Sequence, residues 1–434
     1  MTLSTITRGL STALPHWLSS QRIGLKAIIL GVGVLASTAY AGPREQALEI
    51  HKRIAGIPPT EDAFNYMVTR LSVNDSSTRA QNVADAVNKA MENEAFYSVV
   101  LKNMITPATN REQTVFAPLN DYTATVIGVV RDDVDFRGIL SEDILYVGAD
   151  GLGLPAYANN NNLHYAALET SGIELNDKTK FIRIAQSAKN PALAGATAGV
   201  MTSRAAAAAF FKAGTNRAMF RFTLMNHMCR DLEQVHDTTR IPDFIRQDVS
   251  RSPGGDSRVY LNGCMGCHSG MDPLAKAFAY YDYEFTPTDE DPDGLLSGSI
   301  HYNKVADPVT GSLVEAKYLQ NSATFPYGYV TTDDSWQNYW RAGINANLGW
   351  GWGGNAPTSR SGASSMGQEL ANSRAFASCQ VEKVFKHVCL RKPASEDDHK
   401  AITQFTDNFK SKGFKLKQVF TDTAGYCLAG IPLL

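Results

Sequence analysis

Cys264, Met265, Gly266, Cys267 and His268 put two thiols three positions apart and an imidazole directly after the second. Thiols at that interval can hold half of a zinc site, cycle as a redox dithiol, or add across the two vinyl groups of a haem. Only the last of these calls for a histidine at the next position, where it swings under the ring to bind iron. A structural zinc site needs a second close pair of ligands, and Cys379 and Cys389 lack that spacing. A thioredoxin-like dithiol needs a βαβ setting, and no such pattern surrounds these residues. The spacing therefore predicts one covalently attached haem c, held by Cys264 and Cys267, with His268 as iron ligand.

His268 needs an acceptor on its other ring nitrogen to fix the tautomer, and the carbonyl of Pro273 in "MDP" is the expected partner. Met271, three residues after the histidine, is on the same side of the ring and a poor candidate for the opposite axial position. Met366, in "SGASSMGQEL", is expected there, projecting from an irregular loop that leads into the C-terminal helix. His387, His301 or an open position are the alternatives. A methionine raises the reduction potential and closes the iron, whereas an open position admits peroxide or dioxygen. Trp340, Trp350 and Trp352 stand near that loop as aromatic cover for a porphyrin, and Arg341, Arg360 and Arg374 as partners for its carboxylates. "DEDPDG" (residues 289–294) copies the start of a calcium loop, but Ile300 stands where a bidentate glutamate belongs and Pro292 interrupts it. It reads as a solvated acidic turn.

These residues must be positioned by a chain of 434 residues, long enough for two domains. Apolar residues at 44% and charged residues at 19% fit an ordinary globular protein, and a net charge of −2 gives no reason to expect a nucleic-acid surface. Residues 1–41 read as a secretory signal peptide: Arg8, Arg22 and Lys26, then the apolar run "AIILGVGVLA", then small residues up to Ala41. That run is about half the ~20 residues a spanning helix needs. Cleavage near Ala41 predicts an exported, periplasmic protein with no stable membrane insertion. Export makes disulfides the expected state of Cys229, Cys379, Cys389 and Cys427. Cys379 and Cys389 fall on one predicted helix, ~15 Å of rise apart, beyond the ~7 Å a disulfide allows between Cα atoms. Cys229 then pairs with one of them and Cys427 with the other.

The pattern is mainly α. "PREQALEIHKRIAG" opens with proline and stops at glycine, and a second helical block runs from Ser203 to about Val249. Residues 147–200 are loop-rich. Residues 284–365 form a long irregular insert with a hairpin expected around 311–330, after which helix returns from Gly367 to Lys392 and from Ser395. The expected organisation is a signal peptide (1–41), a helical domain (42–250) and a cytochrome c-like haem domain (251–434).

"GCMGCHSGMDPLAKAFAYYDY" resembles the haem segment of the planctomycete-type cytochrome c domain-containing proteins, and "SRAFASCQVEKVFKHVCLRKP" is similar to their C-terminal segment. Met271, Asp272 and Pro273 match signature positions of that family, while Ala275 and Lys276 replace its glycine and phenylalanine. The resemblance implies haem and export but no reaction. Together these features predict single-electron transfer to or from a redox partner protein. A haem enzyme, peroxidase or oxygenase, is the alternative, because ~80–120 residues suffice to wrap one haem and this chain is far longer.

Overall fold

Helix signals in the sequence account for most of the architecture. The computed structural model describes residues 42–212, 214–287, 297–306, 308, 311–318, 324–351 and 359–431. The expected signal peptide, the calcium-like turn and Trp352 lie outside these residues. The described residues are mainly helical, as expected, and belong to one compact unit, Ala41–Leu434. The first helix, Pro43–Ala55, starts on its proline and closes on Gly56 at φ 76°, a left-handed conformation that glycine adopts without penalty. Helix Glu61–Leu71 is capped by Thr60, and Asn120 caps the buried helix Asp121–Asp132.

Strands are confined to short antiparallel pairs: Leu145–Gly148 with Phe181–Ile184, Tyr281–Phe285 with Gly298–Tyr302, and Ser335–Gln337 with Ser359–Ser361. The first pair and helix Leu163–Thr170 fall in the stretch expected to be loop. The hairpin of the insert is Tyr281–Phe285 with Gly298–Tyr302, while 311–330 carries a 3-10 turn at Ala316–Tyr318.

The second helical block is shorter than its composition suggests. Helix Arg217–Met228 stops where Cys229 turns left-handed (φ 50°). The chain then passes through short 3-10 turns, and the Asp237 N–H donates to the carbonyl of Gly266 at 3.0 Å. The C-terminal helical segment is two helices, Ala363–Ala371 and Arg374–Cys389, because Ser373 breaks the first and caps the second by accepting from Phe376 N–H at 3.0 Å. Helices Glu396–Ser411 and Leu416–Leu428 complete the chain.

One hydrophobic core extends from Ala47 to Ala429, and position 250 falls within its span. Phe96 meets Phe420 edge-on at 5.0 Å, and Phe220 of helix Arg217–Met228 packs on Trp340 at 5.8 Å. Two disulfides fasten this core, Cys229–Cys379 and Cys389–Cys427, which resolves the pairing left open by the sequence. Both anchor on helix Arg374–Cys389, one toward the middle and one at its end.

Replacing Cys389 and Cys427 together by serine removes a loop closure and should cost about 2–4 kcal/mol, read as a lower denaturation midpoint under non-reducing conditions. An unchanged midpoint would mean that the bridge is not formed. His227 is buried against the Tyr122 hydroxyl (2.6 Å to Nε2), and burial lowers its pKa well below 6.5. The folded state thus refuses a proton that the unfolded chain accepts, so stability falls as pH drops below about 6.5, by up to about 1.4 kcal/mol per pH unit for this group. His227→Gln should flatten the fall in melting temperature between pH 7 and pH 5 relative to wild type.

Candidate functional site on the cysteine helix

The two remaining cysteines are free. They straddle the junction of a π-helical turn, Tyr260–Cys264, with an α-helix, Met265–Ala275. At about 100° per residue, Cys264, Cys267, His268 and Met271 share one side of this helix, and Gly266 and Gly270 fall on the other. The glycines fix the helix's rotation. A Cβ on Gly266 would come within 2.4 Å of His236 Nε2, and one on Gly270 within 2.0 Å of Trp340 Nε1, so only glycine lets the helix sit this close. The thiol side is thereby turned away from that contact. Cys264 and Cys267 are half-buried, and His268 keeps 22% of its side-chain surface exposed. Leu261 and Val259, each about half exposed, lie just ahead of Cys264.

The Cys267 thiol donates to the Leu232 carbonyl at 3.5 Å. Burial, and then the charges of Glu233 and Asp231, push its pKa up. That is the opposite of the lowered thiol pKa a dithiol exchange centre uses. Among the described residues no group of three or more His, Cys, Asp or Glu side chains is arranged to hold a metal ion.

His268 Nδ1 lies 3.0 Å from Oδ1 of Asp272, one helical turn on. This corrects the expectation that the Pro273 carbonyl would be the acceptor: the i, i+4 spacing brings the carboxylate alongside the ring. The Asp272 side chain has no exposed surface. Arg217 grips it with two bonds, Nε to Oδ1 at 2.6 Å and Nη2 to Oδ2 at 3.0 Å, and the backbone N–H of Arg246 adds a third at 3.3 Å. Arg217 also donates twice to Asp248, both at 2.7 Å, and Arg246 reaches Asp248 at 3.2 Å. Burial alone would push the Asp272 carboxyl up, but Arg217 and then His268 outweigh it and hold it well below the usual carboxylate range. An ionised Asp272 can only accept, so the proton shared across this contact is carried by Nδ1.

Other polar atoms near the helix lack partners. The Tyr260 and Tyr329 hydroxyls and Ser269 Oγ are buried without a hydrogen bond. Tyr260 stands one turn ahead of Cys264 under Arg251, whose guanidinium lies 5.0 Å from its ring. Arg251 donates to the carbonyls of Ile245 and Val249 at 3.2 and 2.8 Å. A cleft of about 590 Å³ adjoins the far end of the helix at Pro273 and Lys276, walled by Phe244 and Tyr339 stacked at 3.7 Å.

Cys264, Cys267 and His268 lie together at the start of one helix, and the other expected residues are placed as follows. Met366 lies within helix Ala363–Ala371 rather than in a loop, fully buried in the core. His301 Nε2 pairs with Asn303 Oδ1 at 2.7 Å, and His387 sits within helix Arg374–Cys389. Arg341 makes a bidentate pair with Glu369 (2.7 and 2.6 Å), and Arg374 pairs with Asp407 at 3.2 Å. Arg360 lies on strand Ser359–Ser361, opposite Trp336. Trp350 donates its indole N–H to the Trp340 carbonyl at 3.1 Å. Arg217 and Asp248 were not singled out in the sequence, and the i, i+4 interval from His268 to Asp272 was the one available signal. No protein-family model, curated protein or solved structure matches this chain.

Met366 has the packing of a core methionine, and its truncation should act through stability. Met366→Ala is expected to lose about 2–5 kcal/mol while leaving the optical spectrum of the oxidised protein unchanged. Loss of a sulfur-to-iron charge-transfer band in that variant would instead make Met366 the axial ligand.

Proposed function

We propose that this chain is an exported c-type cytochrome that carries one haem and transfers single electrons to or from a partner protein. The supporting observation is the division of the six cysteines. Four are consumed in disulfides, while Cys264 and Cys267 stay free on one side of a helix, beside an imidazole whose Nε2 is available. Disulfides of this kind persist in oxidising compartments, in keeping with export behind residues 1–41. Cys264 and Cys267 would each form a thioether, His268 would bind iron through Nε2, and Asp272 would hold the imidazole in place. When bound, the haem supplies a reversible one-electron couple. Gly266 and Gly270 keep the helix seated against His236 and Trp340, so electron transfer would involve little rearrangement of its support. Val259 and Leu261 give the thiol side an apolar margin suited to a partner surface.

A second reading, a haem enzyme of the peroxidase or oxygenase type, draws on one observation. The histidine is backed by a buried carboxylate, and a strongly donating axial ligand favours O–O cleavage. A high-spin ferric spectrum with ready carbon monoxide binding after reduction would favour this second reading.

Attachment is tested by secreting the chain from a host with c-type maturation machinery, denaturing it and extracting it with acid acetone. The intact mass should include one tetrapyrrole, absent when Cys264 and Cys267 are both changed to alanine. A wild-type mass without the addition would overturn the proposal.

A further inference from the structure

We propose that the Arg217–Asp272 pair sets the donor strength of the His268 imidazole, biasing the iron it binds toward the oxidised state. This rests on His268 being an iron ligand, as proposed above. An imidazole whose Nδ1–H points at a neutral carbonyl remains a moderate donor. Pointed at an ionised carboxylate, the same proton is drawn toward oxygen and electron density moves to Nε2. A stronger donor stabilises the higher positive charge of ferric iron more than that of ferrous iron, which lowers the reduction potential.

Asp272 is built for this role. Its side chain is fully buried, so neither water nor salt competes for its oxygens. Oδ1 accepts from His268 Nδ1 at 3.0 Å and from Arg217 Nε at 2.6 Å, and Oδ2 is occupied by Arg217 Nη2 and the Arg246 N–H, so the carboxylate cannot rotate away. Arg217 makes an ionised carboxylate tolerable at this depth, and Asp248 fixes Arg217 from its other side with two 2.7 Å bonds. Asp272 and Arg217 are positioning residues: they act on iron only through the imidazole.

The test compares holoprotein of the wild type, Asp272→Asn and Asp248→Asn. Asp248→Asn removes an equal charge from the same cluster while leaving the Asp272 carboxylate on the imidazole, and so serves as the control for loss of a nearby negative charge and of Arg217's second anchor. Two quantities are read: the reduction potential, and the iron–imidazole stretching frequency of the ferrous protein after photolysis of its carbon monoxide adduct. Asp272→Asn should raise the potential by more than Asp248→Asn does and lower the stretching frequency, which Asp248→Asn should leave in place. Equal shifts in potential with an unmoved frequency would overturn the inference. If Asp272→Asn fails to mature, the wild-type frequency decides. It should exceed that of a c-type cytochrome whose histidine donates to a backbone carbonyl, and a frequency no higher would overturn the inference equally. A wild type that matures without haem would instead remove the reading on which this one rests.

Discussion

The fold around the cysteine helix depends on a buried ion pair that is shared. Arg217 comes from a helix that precedes the thiols in the chain, Asp272 from the helix that carries them, and Asp248 from the connection between the two. Isolated at this depth, either carboxylate would be costly, and removing one partner of such a pair typically costs about 3–5 kcal/mol. Together they bind three separate segments across position 250, the expected boundary between the helical and haem domains. His268 enters the same network from the edge, so its ring orientation is set by an interaction that also secures the local fold.

Packing on the far side of the helix complements that constraint. Polar clamping alone would leave the helix free to roll, but the close seats of Gly266 and Gly270 against His236 and Trp340 define its rotation. Trp340 is in turn held between Phe220 and the helix, and its carbonyl accepts from Trp350. The disulfides act elsewhere, on helix Arg374–Cys389, and their chemical consequence is selective. They consume the other four thiols and leave the pair beside the histidine unoxidised.

Much of this arrangement was legible in the sequence, for identifiable reasons. Helix starts and stops with strong local chemistry, such as Pro43 and Gly56, depend on adjacent residues and read directly. The disulfide pattern followed in part from helix geometry, because Cys379 and Cys389 on one helix could not meet. The stop at Cys229, whose side chain is bonded to Cys379, and the break at Ser373, which caps the following helix, both lie inside stretches of good helix formers that hide them in the sequence. At the site, the thiols and imidazole were visible as a local spacing. Asp272 stands in the same segment, but nothing local reveals that Arg217, 55 residues earlier, keeps the carboxylate charged and buried, and so the Pro273 carbonyl looks the nearer acceptor. Met366 illustrates the converse: the loop expected around it is a helix, Ala363–Ala371, in which its side chain is buried.

The central claim is that Cys264 and Cys267 become thioethers to one haem. It is tested most directly by the alkaline pyridine haemochrome spectrum of the purified, exported protein. The account predicts an α-band at the position given by a haem whose vinyl groups are both saturated, moved toward that of a singly attached haem in Cys264→Ala. No haemochrome band, or the band of a haem with both vinyls intact, would contradict it.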